Sequence, residues 1–295
     1  MTNPAETYEK TFTGQEPFIA QHRSEGTGLL PAAVQLEMAL VGVARRRPFA
    51  PLELTGVSFL RPLAIADRAT APVRLDVTPG TDRTRFELTT VVAGNRKHLS
   101  TGAGRFLPAD ARPPRADADH GTAAARDIAP ERLYTGWEHE GLQYGPDFRT
   151  VRALSVGDGG TARATLRSDA EPVPWYAHPL LVDGVFQVVS CALQDLTGPD
   201  GPFPMLPIGV DRLALFAELS ALTGGVTVHV RRTGDDGAYA TADALLLGPA
   251  GDVLAEFRGV RMRRTTTVTR TPAVTRTPAV THAPAGVTGA PAAAP

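Results

Sequence analysis

A carboxylate interrupts an apolar run in the second half of the chain. Residues 178–187 read HPLLVDGVFQ and continue as VVSCALQ, a composition typical of a buried helix. Burial of an ionised Asp is unfavourable by several kcal/mol unless a partner pairs with it or a proton neutralises it. Asp183 is therefore either a structural carboxylate near a helix start, favoured there by the helix dipole, or a group whose protonation serves a reaction.

Gln187 follows Asp183 by four residues, which places both side chains on one face of a helix. Its amide can hydrogen-bond the carboxyl group or a ligand that the carboxyl group holds. Pro179 suits the first turn of this helix, so we expect Asp183 in the first or second turn and His178 at the helix start.

A histidine and a turn are the other candidates for chemistry. His22 lies in IAQHRSEGTGLLP, where Gly26 permits a positive φ or a close approach of the backbone to a ligand, and Pro31 begins a predicted helix. A single histidine before a helix is more often a surface or capping residue.

The segment GLQYGPDF at residues 141–148 predicts a turn, and by itself its Tyr144 is a packing residue of a loop.

Two similar sets of elements must position these residues. Each half of the chain has one apolar helix, predicted at about 31–46 and 179–195, followed by segments typical of strands. PVRLDV and VTVHVRR alternate apolar and polar residues, VSFLRPLAI is predicted as a strand, and GPAGD as the turn of a hairpin. The pattern predicts an α+β fold in which each of two long helices is wrapped by a curved antiparallel sheet.

Composition divides the chain into four parts. We predict a first half at residues 1–108, a linker rich in Pro, Ala and Asp at 109–130, a second half at 131–264 and a disordered tail at 265–295. The tail contains TRTPAV twice and no large apolar residues, so it cannot bury a core.

The bulk composition argues against several classes of protein. A formal net charge of -1 disfavours nucleic acid or an anionic membrane as a partner. The single cysteine, Cys191, excludes a disulfide framework and a cysteine-rich metal site and fits a reducing, cytoplasmic location. We find no pattern of a signal peptide or membrane span, and none of GxxxxGK[ST], GxGxxG after a strand, HExxH or GxSxG.

Taken in order, these segments resemble the dehydratase domains of modular polyketide synthases. The family pattern HxxxGxxxxP is matched by His22, Gly26 and Pro31. The pattern GxxYGPxF is matched by Gly141, Tyr144, Gly145, Pro146 and Phe148. The pattern HPxxxDxxxQ is matched by His178, Pro179, Asp183 and Gln187. The three patterns, in this order and with this spacing, carry the resemblance over roughly residues 8–263.

The resemblance implies a double hot-dog fold and one site shared by the two halves. The implied reaction is loss of water from a 3-hydroxyacyl thioester to give a 2,3-unsaturated thioester, with His22 as base and Asp183 as acid. The implied substrate-binding residues are Gln187, Tyr144, Gly26, Pro31, Gly145 and His178.

The resemblance also implies how the substrate arrives. The acyl chain would be carried on the phosphopantetheine arm of an acyl carrier protein, with no further cofactor and no metal. The implied partners are that carrier protein, the other domains of a polyketide synthase and, in a homodimer, a second copy of the chain.

The residue types suit this reaction. A neutral imidazole has the right pKa range to take the α-proton of a thioester. An Asp can protonate a leaving hydroxyl only if it stays protonated near neutral pH, and burial in the apolar run raises the pKa of Asp183. Backbone N–H groups near Gly26 and at the helix that follows Pro31 are expected to polarise the thioester carbonyl.

Four positions differ from the residues usual in the family. Gly is usual at the position of Ala32, an aromatic residue at Gln35, Leu at Val182 and Ala at Gly184. These residues line the two helices, so the differences bear on the shape of the pocket and the acyl preference more than on the chemistry.

Two alternatives stay open beside the dehydratase. A relative of the same fold can combine dehydration with cyclisation or a double-bond shift, although Asp183 argues against a pure isomerase. The other alternative is a non-catalytic domain that binds the acyl carrier, against which the presence of His22, Asp183 and Gln187 argues.

Overall fold

The computed structural model describes residues 4–45, 47–108, 110–114, 126–170, 176–194, 196, 203–219 and 224–264. The predicted tail at 265–295 and residues 109 and 115–125 of the predicted linker lie outside these ranges. In the described ranges, none of the helices has the length and apolar character needed to cross a membrane.

Four helices and sixteen strands make up this part of the chain. The helices are α1 (Pro17–Ala20), α2 (Ala32–Ala44), α3 (Pro130–His139) and α4 (Pro179–Ala192), with a 3-10 turn at Pro146–Phe148. The strands are β1 (Glu6–Phe12), β2 (His22–Ser24), β3 (Thr27–Leu29), β4 (Leu52–Phe59), β5 (Ala64–Ile65), β6 (Ala71–Pro79), β7 (Thr84–Val92), β8 (Asn95–Phe106), β9 (Arg126–Asp127), β10 (Leu142–Tyr144), β11 (Val151–Gly157), β12 (Thr161–Leu166), β13 (Met205–Leu215), β14 (Val226–Asp235), β15 (Tyr239–Leu247) and β16 (Val253–Arg264).

The two long helices α2 and α4 lie at the centre of the molecule. Both are buried on nearly every face, as expected for helices without a polar side. They pack against each other, α2 against strands of the first half and α4 against strands of the second. The two predicted helices are confirmed, although each ends earlier than expected, α2 at Ala44 and α4 at Ala192, and Pro31 precedes α2 rather than beginning it.

Twelve strands form one antiparallel sheet in the order β1-β6-β7-β8-β4-β13-β16-β15-β14-β12-β11-β9. The first five strands come from the first half of the chain and the other seven from the second. The alternation predicted for PVRLDV is confirmed in β6, where Val73, Leu75 and Val77 are buried. Each half thus places an antiparallel sheet over its own helix, which is the predicted α+β architecture.

A smaller sheet of four strands has the order β10-β2-β3-β5. Its strands β2 and β3 contact α1, and its strand β10 contacts α3. The prediction of one strand over VSFLRPLAI was wrong, because β4 ends at Phe59 and β5 begins at Ala64. Pro62 lies between them and has no N–H to donate to a strand ladder. The division lets β4 stay in the large sheet while β5 pairs with β3.

The end of the predicted linker belongs to elements of the second half. Strand β9 pairs with β11, and α3 begins at Pro130. Residues 126–130 therefore continue directly into the elements that cover α4.

A group of charged residues joins the two halves at the pairing of β4 with β13. Glu53 of β4 accepts hydrogen bonds from Arg212 Nε of β13 at 2.6 Å and from Arg105 Nε of β8 at 2.8 Å. Arg212 also pairs with Glu256 of β16. Burial raises the pKa of Glu53, but the hydrogen bonds from the two arginines outweigh burial and hold that pKa below its ordinary value.

Close approach of α2 to the sheet requires a glycine in β8. A Cβ atom at Gly104 would lie 2.7 Å from Leu54 Cδ2, 2.9 Å from the carbonyl oxygen of Glu53 and 3.0 Å from Val43 Cγ2 of α2. One of these contacts is to backbone, which cannot move without disturbing the sheet.

We expect Gly104→Ala to lower the free energy of unfolding by about 1–3 kcal/mol, because the added methyl overpacks this contact. Gly225→Ala is the matched control, since its Cβ would lie 3.4 Å from Thr165 Cγ2, an ordinary contact distance. Denaturant unfolding of both variants checks this, and an equal effect at the two positions would contradict the packing argument.

Candidate active site

The small sheet brings His22 and the turn at residues 141–148 together. Strand β2 pairs with β10 so that His22 lies directly opposite Tyr144. The centroids of these two rings are 5.4 Å apart, and the ring of Phe148 lies 5.3 Å from that of His22. Two segments that are far apart in the sequence therefore form one wall, with the imidazole packed between aromatic rings.

Gln21, next to His22, fixes this turn with its side chain. Its Nε2 donates to Asp147 Oδ2 at 2.6 Å, and its Oε1 accepts from the backbone N–H of Asp147 at 2.9 Å. A Cβ at Gly145 would lie 2.6 Å from Cβ of Gln21. The glycine is thus required for the close packing that holds the turn against β2.

The other half of the site comes from α4. His22 Nε2 lies 4.0 Å from Asp183 Oδ1, and the two side chains are 13% and 7% exposed. An imidazole of the first half and a carboxyl group of the second half thus face each other across a gap slightly longer than a hydrogen bond.

Gln187 fixes the orientation of Asp183. Its Nε2 donates to Asp183 Oδ2 and to the carbonyl oxygen of Phe148, both at 2.9 Å. Its Oε1 accepts from the hydroxyl of Tyr134 at 3.1 Å, and that hydroxyl accepts from the N–H of Val151 at 3.1 Å. Because the amide is bonded through both its nitrogen and its oxygen, it cannot turn, and Asp183 Oδ1 is left facing His22.

Burial moves the pKa values of this pair in opposite directions. It lowers the pKa of His22, which the charge of Asp183 and the backbone of Leu29 only partly offset. It raises the pKa of Asp183 against the influence of His22 and Gln187. Burial also raises the pKa of Tyr144, so its phenol stays protonated. Burial therefore shifts the imidazole toward its neutral form and the carboxyl group toward its protonated form.

A cavity of about 160 Å³ opens onto this pair. Its apolar lining includes Leu29, Leu30, Phe59, Leu142, Phe186 and Met205. Of the residues that the sequence predicts for the site, the lining contains His22, Tyr144, Asp183 and Gln187. The structure thus brings together four residues from all three sequence patterns.

The other predicted site residues are not in the lining of this cavity. Gly26 has φ +77° in the turn between β2 and β3, and its N–H donates to Gln143 Oε1 at 3.1 Å. His178 is buried, has φ 50° and precedes α4. Pro31 and Gly145 shape the start of α2 and the turn after β10. Direct contact of these four residues with a ligand stays a prediction.

Sequence reasoning missed the residues that support the pair. Tyr134 holds Gln187, and Glu37 of α2 accepts the N–H groups of Tyr176 and Ala177 at 2.7 and 2.8 Å, just before His178. Burial raises the pKa of Glu37 to about 7. The aromatic residues of α3, Tyr134 and Trp137, are three positions apart on one face, a pattern that any core helix shares.

The family of the chain follows from comparison with known proteins. The family model described as "Polyketide synthase dehydratase N-terminal domain" matches residues 112–272. A second family model, described as "Polyketide synthase dehydratase domain", matches residues 2–91. The chain belongs to the polyketide synthase dehydratase family. Members of this family are enzymes that remove water from hydroxyacyl thioesters.

Solved structures establish the fold. The dehydratase domain from the CurF module of curacin polyketide synthase superposes with a TM-score of 0.77 at 22% identity, over 88% of this chain and 94% of that one. A trans-AT polyketide synthase dehydratase domain from Brevibacillus brevis gives the same values. The predicted double hot-dog fold is confirmed.

The curated relatives are much longer proteins. Polyketide synthase ThaG of Burkholderia thailandensis is 29% identical over 263 residues, which are 85% of this chain and 4% of ThaG. Erythronolide synthase EryA2 of Saccharopolyspora erythraea is 28% identical over 86% of this chain and 7% of its own length. The chain spans only a small part of the synthases that it matches.

We expect Tyr134→Phe to lower the free energy of unfolding by about 1–3 kcal/mol, because a buried N–H and the Gln187 oxygen both lose their partner. Tyr239→Phe is the control, since Tyr239 is 41% exposed. Denaturant unfolding compares the two, and a loss of stability no greater for Tyr134→Phe than for the control would contradict the role of this hydroxyl.

Proposed function

We propose that the chain is an active dehydratase domain that removes water from a 3-hydroxyacyl thioester, with His22 as base and Asp183 as acid. The observation that carries the proposal is the His22–Asp183 pair, 4.0 Å apart between Nε2 and Oδ1 and buried beside an apolar cavity. Burial lowers the pKa of His22 and raises the pKa of Asp183, each in the direction that the assigned role needs.

His22 acts on the α-carbon. With its pKa lowered by burial, the imidazole is neutral at neutral pH, and its Nε2 can accept a proton. As Nε2 takes the proton from C2, the electron pair of the C2–H bond moves toward the thioester carbonyl.

Asp183 acts on the β-hydroxyl. Gln187 donates to Oδ2, so the proton of the carboxyl group is held on Oδ1, the oxygen that faces His22. As the C3–O bond breaks, this proton passes to the hydroxyl, water leaves and the electron pair from C2 forms the C2–C3 double bond. The products are a 2,3-unsaturated thioester, water, an imidazolium and a carboxylate, and proton exchange restores the enzyme.

The start of α2 supports activation of the thioester carbonyl. Ala32 lines the cavity, and the first intrahelical bond is donated by Val34 to the carbonyl of Pro31. The N–H groups of the first turn and the helix dipole therefore favour negative charge here. The N–H of Gly26 donates to Gln143 instead, so we assign this function to the first turn of α2.

Two exposed arginines support a carrier protein as the partner. Arg61 and Arg263 line the cavity and are exposed, so they lie where it meets solvent. Their positive charge suits the phosphate of a phosphopantetheine arm and an acidic carrier surface. We propose the acyl carrier protein and other polyketide synthase domains as partners.

Mass spectrometry of a 3-hydroxyacyl thioester on pantetheine or carrier protein tests the activity. We expect loss of one water with the wild type, and a rate at least ~100-fold lower with Asp183→Asn or His22→Asn. Asp158→Asn and His139→Asn, both at exposed positions, are the matched controls. Full activity in either site variant would overturn the role assigned to the substituted residue. A product with a new ring or a shifted double bond would favour the alternative in which dehydration is combined with cyclisation or a double-bond shift.

The pH dependence of kcat/KM tests the protonation states. Activity requires His22 unprotonated and Asp183 protonated, so the profile is bell-shaped. Because burial lowers the pKa of His22 from 6.5, we expect the acidic limb to be centred below pH 6.5. Because burial raises the pKa of Asp183, we assign the loss of activity at high pH to deprotonation of that group. The two apparent pKa values of the profile describe the coupled pair and not either residue alone. An acidic limb centred above pH 6.5 would contradict this assignment.

A further inference from the structure

Gln35 of α2 is a polar residue in the lining of the cavity. It is 4% exposed and lines the cavity together with Ala32, one turn earlier on the same helix. Its Oε1 is buried and makes no hydrogen bond with any residue that the structure describes. A buried amide oxygen without a partner is unfavourable, and such a group in a ligand cavity is completed by a ligand.

The other glutamines show that a buried amide oxygen without a partner is not general in this fold. The side-chain amides of Gln21, Gln143, Gln187 and Gln194 all hydrogen-bond to neighbouring residues. Gln15 is exposed to solvent. Among the described residues, Gln35 alone combines a buried side chain, a place in the cavity lining and an amide without a protein partner.

Ser190 of α4 contributes a second polar group to the lining. It follows Asp183 by seven residues, which is two helical turns on the same face or about 10.5 Å along the axis. Its Oγ accepts from Gln194 Nε2 at 3.1 Å, and it is 4% exposed. The polar groups of the cavity thus extend beyond the residues around His22 that perform the reaction.

The ligand group that fits here is neutral. Apart from His22 and Asp183, the charged residues in the lining are Arg61 and Arg263, which are exposed. A carboxylate or ammonium group beside Gln35 would be buried without a counter-charge. A hydroxyl group on the ligand can donate to the amide oxygen of Gln35 and can also accept a hydrogen bond.

We propose that Gln35, with Ser190, selects acyl chains that carry a further hydroxyl group beyond C3. The inference rests on the proposed function for the identity of the thioester end of the ligand. Gln35 then determines specificity and takes no part in the proton transfers, which belong to His22 and Asp183.

Matched substrates test the selection. The probes are a 3-hydroxyacyl pantetheine thioester with a plain alkyl chain and a series in which one further hydroxyl is placed on successive carbons beyond C4. We expect wild type to favour one member of the series over the plain chain by about 10-fold in kcat/KM. In Gln35→Leu this preference disappears, because the plain chain gains and the hydroxylated chain loses. Gln15→Leu is the matched control and keeps the preference of wild type.

The possible outcomes separate this inference from the proposed function. Turnover of all chains at equal rates, or an unchanged preference in Gln35→Leu, overturns the proposed selectivity of Gln35. Neither result contradicts the proposed dehydratase function. If Gln35→Leu does not fold, Gln35→Met, which keeps the length without hydrogen bonding, replaces it. If wild type turns over no chain, the proposed function fails. In that case, calorimetric measurement of the binding of the same thioesters tests the selectivity of Gln35 by itself. Equal Kd values for plain and hydroxylated chains would overturn it.

Discussion

Burial of the Asp183 carboxyl group opposite a buried imidazole is the interaction on which the site depends. In water, an Asp and a His at neutral pH would be an anion beside a largely neutral ring, and the acid would have no proton to give. Burial raises the pKa of the carboxyl group, and the bond from Gln187 to Oδ2 leaves Oδ1 to face His22. Apolar packing thus favours the protonated carboxyl group, and the same packing favours the neutral imidazole, as the proposed roles require.

This pair exists only while the two halves of the fold keep their positions. The halves are joined by the pairing of β4 with β13, reinforced by Glu53 and Arg212, and by the pairing of β2 with β10. Glu37 adds a third connection, from α2 to the backbone just before α4. Each connection crosses from one half to the other, so the distance between His22 and Asp183 depends on how the two halves are joined.

The proposed roles assign reactivity and selectivity to different residues of one cavity. Asp183 is held by the protein through the amide of Gln187, which is bonded through both its nitrogen and its oxygen. Gln35 lies on the same cavity but has no protein partner among the described residues. A group fixed by the protein suits a step that all substrates share, whereas a group that a ligand must satisfy discriminates between substrates.

The pairing of His22 with Asp183 was implied only by the resemblance to the family. The sequence by itself determined the two apolar helices, the alternating strands and the candidate residue Asp183. These follow from local properties: periodicity for α2, α4 and β6, and a carboxylate in an apolar run for Asp183. Only the tertiary structure decided that Tyr144 lies opposite His22, that Tyr134 holds Gln187, and that Gly26 and His178 lie outside the cavity lining. The reason is that strand pairing and side-chain networks join residues distant in the sequence, and a buried tyrosine carries the same local pattern whether it fills a core or holds a catalytic group.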